Sequence, residues 1–226
     1  MSSLAQELTK LRRMLLSMSA EVEQRVEQAF DALLRRDARK AEMVKEGDDT
    51  IDQFDVSIEA ECVEILALHQ PVAVDLRFVL AALRVNADLE RIGDLARGIA
   101  KRAIKLERRR PIAYPPPLVE MTRHVRGILA NALKALADQD EELAHKVRRS
   151  DGPINDCYHA VFKWAAGEMG QRQEEAKAVI DVLSAVRGVE RIADLATNIA
   201  ESVIFAVGGT IVRHAHGGEE TRSDRE

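Results

Sequence analysis

Two acids one helical turn apart, met twice within a repeated stretch, are the residues of this sequence best suited to chemistry. Glu90 and Asp94 stand four apart in LERIGDLARGIA, Leu89 to Ala100. Glu190 and Asp194 stand likewise in VERIADLATNIA, Val189 to Ala200, 100 residues further on, and eight of the twelve positions are identical. The composition of the stretch favours helix. Wound at ~100° per residue, Ile92, Leu95, Ala96 and Ile99 share one apolar side, and the acids lie opposite. Like charges four apart on a helix cost roughly 0.2–0.5 kcal/mol. A face needing only solvation would carry Lys or Arg four residues after Glu. A cation held between the carboxylates would remove the penalty. In the second copy Asn198 and Glu201 prolong the polar stripe. The competing reading is a plain acidic face supported by Arg91 and Arg191.

The elements that must position these acids are helices. The chain has 226 residues, enough for one large or two small domains. Aromatics are 4% and β-branched runs are few, while Ala, Leu, Glu and Arg abound, which predicts an all-α protein. A net charge of −5 argues against a general nucleic-acid binder. Cys62 and Cys157 sit among helical residues without a C-x-x-C pair, so buried free thiols in a reducing compartment are expected. No signal-like segment opens the chain and no run of about 18 apolar residues occurs. The expected location is the cytoplasm.

Apolar residues from Leu4 to Leu33 recur at three- and four-residue steps, a first helix to about Arg36 some 50 Å long. Asp37 can cap a second helix, about Ala38 to Leu68, with Gly47 a soft spot and Val44, Ile51, Phe54, Ile58, Cys62 and Ile65 as its seam. Gln70-Pro71 ends it, and a third helix to Glu107 carries the first acidic copy. Arg108 to Pro117, RRRPIAYPPP, cannot be helix interior. With Lys101, Arg102 and Lys105, its three arginines form a basic patch: a helix end complementing its negative pole, or a docking site for an acidic partner. Beyond the prolines the pattern restarts: a fourth helix from about Leu118, a fifth from Glu141 kinked near Asp151-Gly152-Pro153 and ending between Gly167 and Gly170, and a sixth from about Glu174 to Val207, stopped by Gly208-Gly209. The polar tail from Arg213 is expected to be disordered. Asp37 and Asp140 open equivalent helices at an offset of 103. The chain therefore divides into a first three-helix repeat (1–107), a proline-rich linker (108–117), a second repeat (118–208) and a tail (209–226).

No phosphate-cradling glycine motif and no nucleophile elbow occurs. Glu142-x-x-His145 and Asp156-x-x-His159 each resemble half a di-iron ligand set, but that arrangement draws on two helices and both pairs fall on one. A metal-dependent helical-bundle enzyme of the di-metal carboxylate type is thus the alternative reading. Trp164, Tyr158 and Phe162 read as core.

The stretch Leu66 to Ala103, LALHQPVAVDLRFVLAALRVNADLERIGDLARGIAKRA, resembles the PhoU family of phosphate-uptake regulators, as do DARKAEMVKEGDDTID from Asp37 to Asp52 and ERIADLATNIAESVIF from Glu190 to Phe205. The resemblance implies two tandem, pseudo-symmetric three-helix bundles. It also implies surface metal sites (Fe, Zn, Mg or Mn) at Glu90/Asp94 and Glu190/Asp194, with Asn198 on the second stripe and Asp52 and Asp151 on the middle helices as further candidates. The implied role is non-enzymatic: negative regulation of the phosphate-starvation response, linking the ATPase subunit of a phosphate ABC transporter to a sensor histidine kinase, with a homodimer as the common assembly. Gly98 stands where the second copy has Asn198, and Asn155 where the first repeat has Asp52, so the two sites are expected to be unequal.

Overall fold

The computed structural model describes residues 3–47, 49–150, 152–171 and 175–210. The expected disordered tail and Asp151 fall outside these. Among the described residues there is no strand, and the order is α1 Ser3–Arg35, α2 Ala38–Glu46, α3 Asp49–His69, α4 Ala73–Glu107, α5 Pro116–Asp138, α6 Glu141–Arg148, α7 Gly152–Gln171 and α8 Ala176–Gly208. The six-helix plan holds, with each middle helix divided in two: α2 and α3 in the first half, α6 and α7 in the second. The first division falls at the expected soft spot, Gly47. α7 runs through Gly167, which therefore does not end it.

The repeat extends to backbone detail. Arg36 (φ 54°) and Gln139 (φ 53°) both take the left-handed conformation that closes a helix. The residue after each caps the next helix: the Asp37 carboxylate accepts from the Lys40 N–H at 3.0 Å, and Asp140 from Leu143 at 2.9 Å. Arg36 then reaches from the end of α1 to donate to the Leu106 and Arg109 carbonyls, tying α1 to the C-terminus of α4. Gly209 (φ 76°) closes α8, as the Gly-Gly pair predicts.

The predicted seams form the core, with Leu4, Leu8 and Phe54 only partly buried at its edge. Leu11, Met18, Val22, Phe30 and Leu33 of α1 and Ile51, Ile58, Cys62 and Ile65 of α3 are buried, each large aliphatic contributing ~1.5–3 kcal/mol. Cys157 is buried as well, and both thiols are free. α4 and α8 form the most extensive helix pair. Arg77 donates to the Ala206 carbonyl, Arg84 stacks over Phe205, and Arg102 meets Asp181. Ascending residues of α4 meet descending residues of α8, so the pair is antiparallel. The helices come close at Gly188, where a Cβ would lie 3.1 Å from the Ile99 side chain. An antiparallel contact between equivalent helices fits a two-fold axis perpendicular to them, and it brings the two acidic copies opposite one another near the middle of the pair.

Candidate functional site

Each acidic pair sits on the outward side of its long helix. Ile92, Ala96, Ile99 and their counterparts Ile192, Ala196 and Ile199 are buried, which leaves Glu90 and Glu190 half-buried and Asp94 and Asp194 exposed. Leu95 and Leu195 are only half-buried, because they face a cleft instead of the core. That cleft, about 380 Å³, is lined by Arg91, Asp94 and Leu95 of α4 and by Arg191, Asp194 and Leu195 of α8. The lining is three residues and their three equivalents, so the cleft straddles the two-fold relation. Asp94 and Asp194 share it; Glu90 and Glu190 lie one turn back on their own helices.

The electrostatics are those of crowded carboxylates. Burial raises Glu90 above the ordinary value, and the charge of Asp94 raises it further, followed by Asp55 and Asp52; Arg91 opposes them. Glu190 is raised by burial and then by Asp194, with Arg191 opposing. The repulsion expected from the spacing is therefore present in both copies. Arg91 gives little direct relief, since its nearest carboxylate is Asp88 at 3.9 Å. Asp94 instead pairs with Arg97.

Residues 15–103 match the model of the PhoU domain, and residues 118–203 match it a second time. The chain belongs to the PhoU family. The phosphate-specific transport system accessory protein PhoU homolog of Pseudomonas putida is 41% identical over 214 residues, covering 92% of this chain and 82% of that protein. PhoU of Escherichia coli (strain K12) is 32% identical over 213 residues, covering 94% and 88%. The crystal structure of PhoU from Pseudomonas aeruginosa aligns with a TM-score of 0.86 at 37% identity, covering 92% of this chain and all of that one. That of the phosphate transport system regulatory protein PhoU from Streptococcus pneumoniae aligns at 0.85 with 30% identity, covering 93% and 99%.

In this PhoU-family chain the two acidic regions are not equivalent. Around Glu90 and Asp94, α3 adds Asp52 and Asp55. Asp55 itself is raised, by burial first and then by Glu59. Its side chain accepts from the Asn86 amide at 2.6 Å, and the same amide donates to the Asp55 carbonyl at 3.1 Å. The sequence reading missed both. Their signal was there: Asp55 lies one turn after Asp52, and Asn86 one turn before Glu90. At the corresponding places the second half has Asn155, Tyr158 and Val186, so Glu190 and Asp194 lack that acidic support. Asn198 is exposed one turn beyond Asp194.

Carboxylates and an amide suit a hard, oxygen-seeking cation in donor type. Among the described residues no three His, Cys, Asp or Glu side chains converge closely enough to enclose one. Glu90 and Asp94 would therefore hold an ion as a pair, with water completing its shell, as Mg²⁺ commonly accepts. The di-metal alternative gains nothing from the geometry. His145 lies 3.8 Å from Glu141, while Glu142 pairs with Lys146 at 2.8 Å.

Proposed function

We propose that this chain is a cytoplasmic, non-enzymatic regulator of phosphate uptake and of the phosphate-starvation response. It acts negatively, coupling the ATPase subunit of a phosphate ABC transporter to a sensor histidine kinase, and works as a homodimer. The observation that carries this reading is the likeness, over more than nine-tenths of the chain, to phosphate-specific transport system accessory proteins. Supporting it, none of the described helices is long and apolar enough to cross a membrane, as a partner of membrane machinery need not be. In this reading a divalent or trivalent cation (Mg, Mn, Fe or Zn) sits at Glu90/Asp94 and at Glu190/Asp194, with Asn198 flanking the second pair; Asp52, and Asp151 from outside the described residues, contribute negative charge through bound water rather than as direct ligands. The bound charge relieves the repulsion and fixes the acidic stripes in one shape for partner proteins to recognise.

Deleting the gene in its host and measuring a phosphate-starvation reporter in phosphate-rich medium tests the role. Derepression, reversed by the parent gene and not by Glu90→Ala/Asp94→Ala/Glu190→Ala/Asp194→Ala, is expected. A reporter that stays silent in the deletion strain would refute negative regulation. Metal content of tag-free protein, parent against variant, reads the cation sites separately. Light scattering of the purified chain reads the dimer.

A further inference from the structure

The last turns of α4 carry more positive charge than the fold requires. A cleft of about 530 Å³ opens between α4 and α8 over a floor of Leu95, Ile99 and Ile104. Lys101, Arg102 and Lys105 of α4 and Arg108 just past its end line it, and Arg187 and Arg191 face them from α8. Its two acids are engaged, Glu42 with Lys45 at 3.0 Å and Asp94 with Arg97. Arg102 is partly neutralised by Asp181 at 3.1 Å. Lys101, Lys105 and Arg108 are exposed and form no ion pair with any described residue.

Cations near a helix C-terminus complement its negative pole, and that explanation would suffice if α8 did the same. It does not. At the offset of 100 that relates the helices, Lys101, Lys105 and Arg108 become Glu201, Phe205 and Gly208. On that side the equivalent residues are engaged within the protein: the Arg84 guanidinium stacks 4.8 Å from the Phe205 ring, and Arg148 pairs with Glu201 at 3.3 Å. One fold, used twice, pairs these positions with its own side chains in one copy and leaves them cationic and unpaired among the described residues in the other. Gly98 adds to the contrast. A Cβ there would meet nothing within 4 Å, so packing does not demand glycine, although glycine inside a helix costs stability. The second half has Asn198 at this place; in the first the wall of the cleft is left bare.

We infer that this cleft binds a compact, multiply charged phosphate anion of the class of pyrophosphate and tripolyphosphate. Its volume lies within the ~300–1,000 Å³ of small-molecule pockets. Arg and Lys are the side chains that recognise phosphoryl oxygens. No aromatic ring lines it to stack a base, so the phosphates themselves are what it reads. Lys101 to Arg108 spans ~10 Å of helix, more than one phosphate can bridge and suited to several in a row. Convergence of cations from two helices into a concavity favours a small ligand over the flat face of an acidic protein. The anion site does not rest on the regulatory role, and it adjoins the acidic pairs, sharing Asp94, Leu95 and Arg191 with the cleft there.

Titration calorimetry of the full chain with tripolyphosphate at physiological ionic strength tests it, against orthophosphate, sulfate and an acidic peptide of matched charge. Saturable one-to-one binding, tightest for tripolyphosphate, is expected. Lys101→Glu/Lys105→Glu/Arg108→Glu should weaken it by roughly tenfold or more, while Arg123→Glu/Lys163→Glu, on α5 and α7, should change it by less than about twofold. Gly98→Asn, which installs the residue of the second half, should weaken binding several-fold without lowering the melting temperature, and carries the test if the triple variant does not fold. No saturable binding by the parent, undiminished binding by the cleft variants, an equal loss in the control, or tighter binding of the acidic peptide would each overturn the assignment.

Discussion

Replacing Glu90 and Glu190 by glutamine should make the metal-free protein more stable. Glutamine keeps the size and the helix propensity of glutamate and removes one charge from each pair. Each like-charge pair four residues apart costs roughly 0.2–0.5 kcal/mol on a solvated helix. Two pairs give ~0.4–1 kcal/mol, and half-burial favours the upper end, while the loss of attraction to Arg91 and Arg191 subtracts a part. For a chain of this size ~1 kcal/mol moves the midpoint by ~2–4 °C, so a rise of about 1–4 °C is expected in a thermal melt with chelator at neutral pH. The sign with pH follows from the raised glutamates. Above their elevated folded pKa values the folded state bears the full penalty of ionisation. Below the ordinary value of 4.5 both states are protonated and nothing remains. The gap between variant and parent should therefore close as pH falls through that window. Millimolar Mg²⁺ or Mn²⁺ should then raise the parent and leave the variant unmoved. A variant that melts below the parent at neutral pH would show that the carboxylates are stabilised by partners and not in conflict, and the electrostatic argument for a cation would fail.

Two glycines on α4 should respond with opposite signs to alanine: Gly98→Ala should gain ~0.5–1 kcal/mol, whereas Gly93→Ala places a Cβ 2.8 Å from Ile51 Cδ1 in a sealed core and should lose ~1–3 kcal/mol; urea midpoints decide. Asp181, buried and paired with Arg102 at 3.1 Å and Arg109 at 2.7 Å, should cost ~1.5–3 kcal/mol when changed to Ala, and a neutral urea midpoint would mean that the partly exposed arginines find water just as good. Cys62, its thiol pushed up to about 12 by burial, should resist alkylation in the folded protein at mildly alkaline pH and react on unfolding. Modification of Cys62 at the same rate with and without denaturant would contradict that burial.

Read alone, the chain reveals whatever repeats along one helix. The three- and four-residue steps of α1 and α3 set out their buried faces. Asp37 and Asp140 marked where the middle helices begin, and the doubled E-R-I-x-D-L-A stretch gave two long helices with acids on one side and aliphatics on the other. These are consequences of a 3.6-residue period and of local capping bonds, which need no partner to be read. The break in each middle helix was legible only as a weak point, because short-range propensity does not decide between a kink and a stop. Asp55 and Asn86 were visible as polar residues one turn from known candidates, yet their bond to each other joins α3 to α4, and no periodicity reports it. Only the antiparallel packing of α4 on α8 placed Asp94 and Asp194 on one cleft, drew Asp181 to Arg102 and Arg109, and left Lys101, Lys105 and Arg108 around an open cleft, where Phe205 and Glu201 of the other half meet Arg84 and Arg148. Those features depend on which residues meet across a hundred positions of chain, and that is fixed by how two apolar stripes find each other in three dimensions.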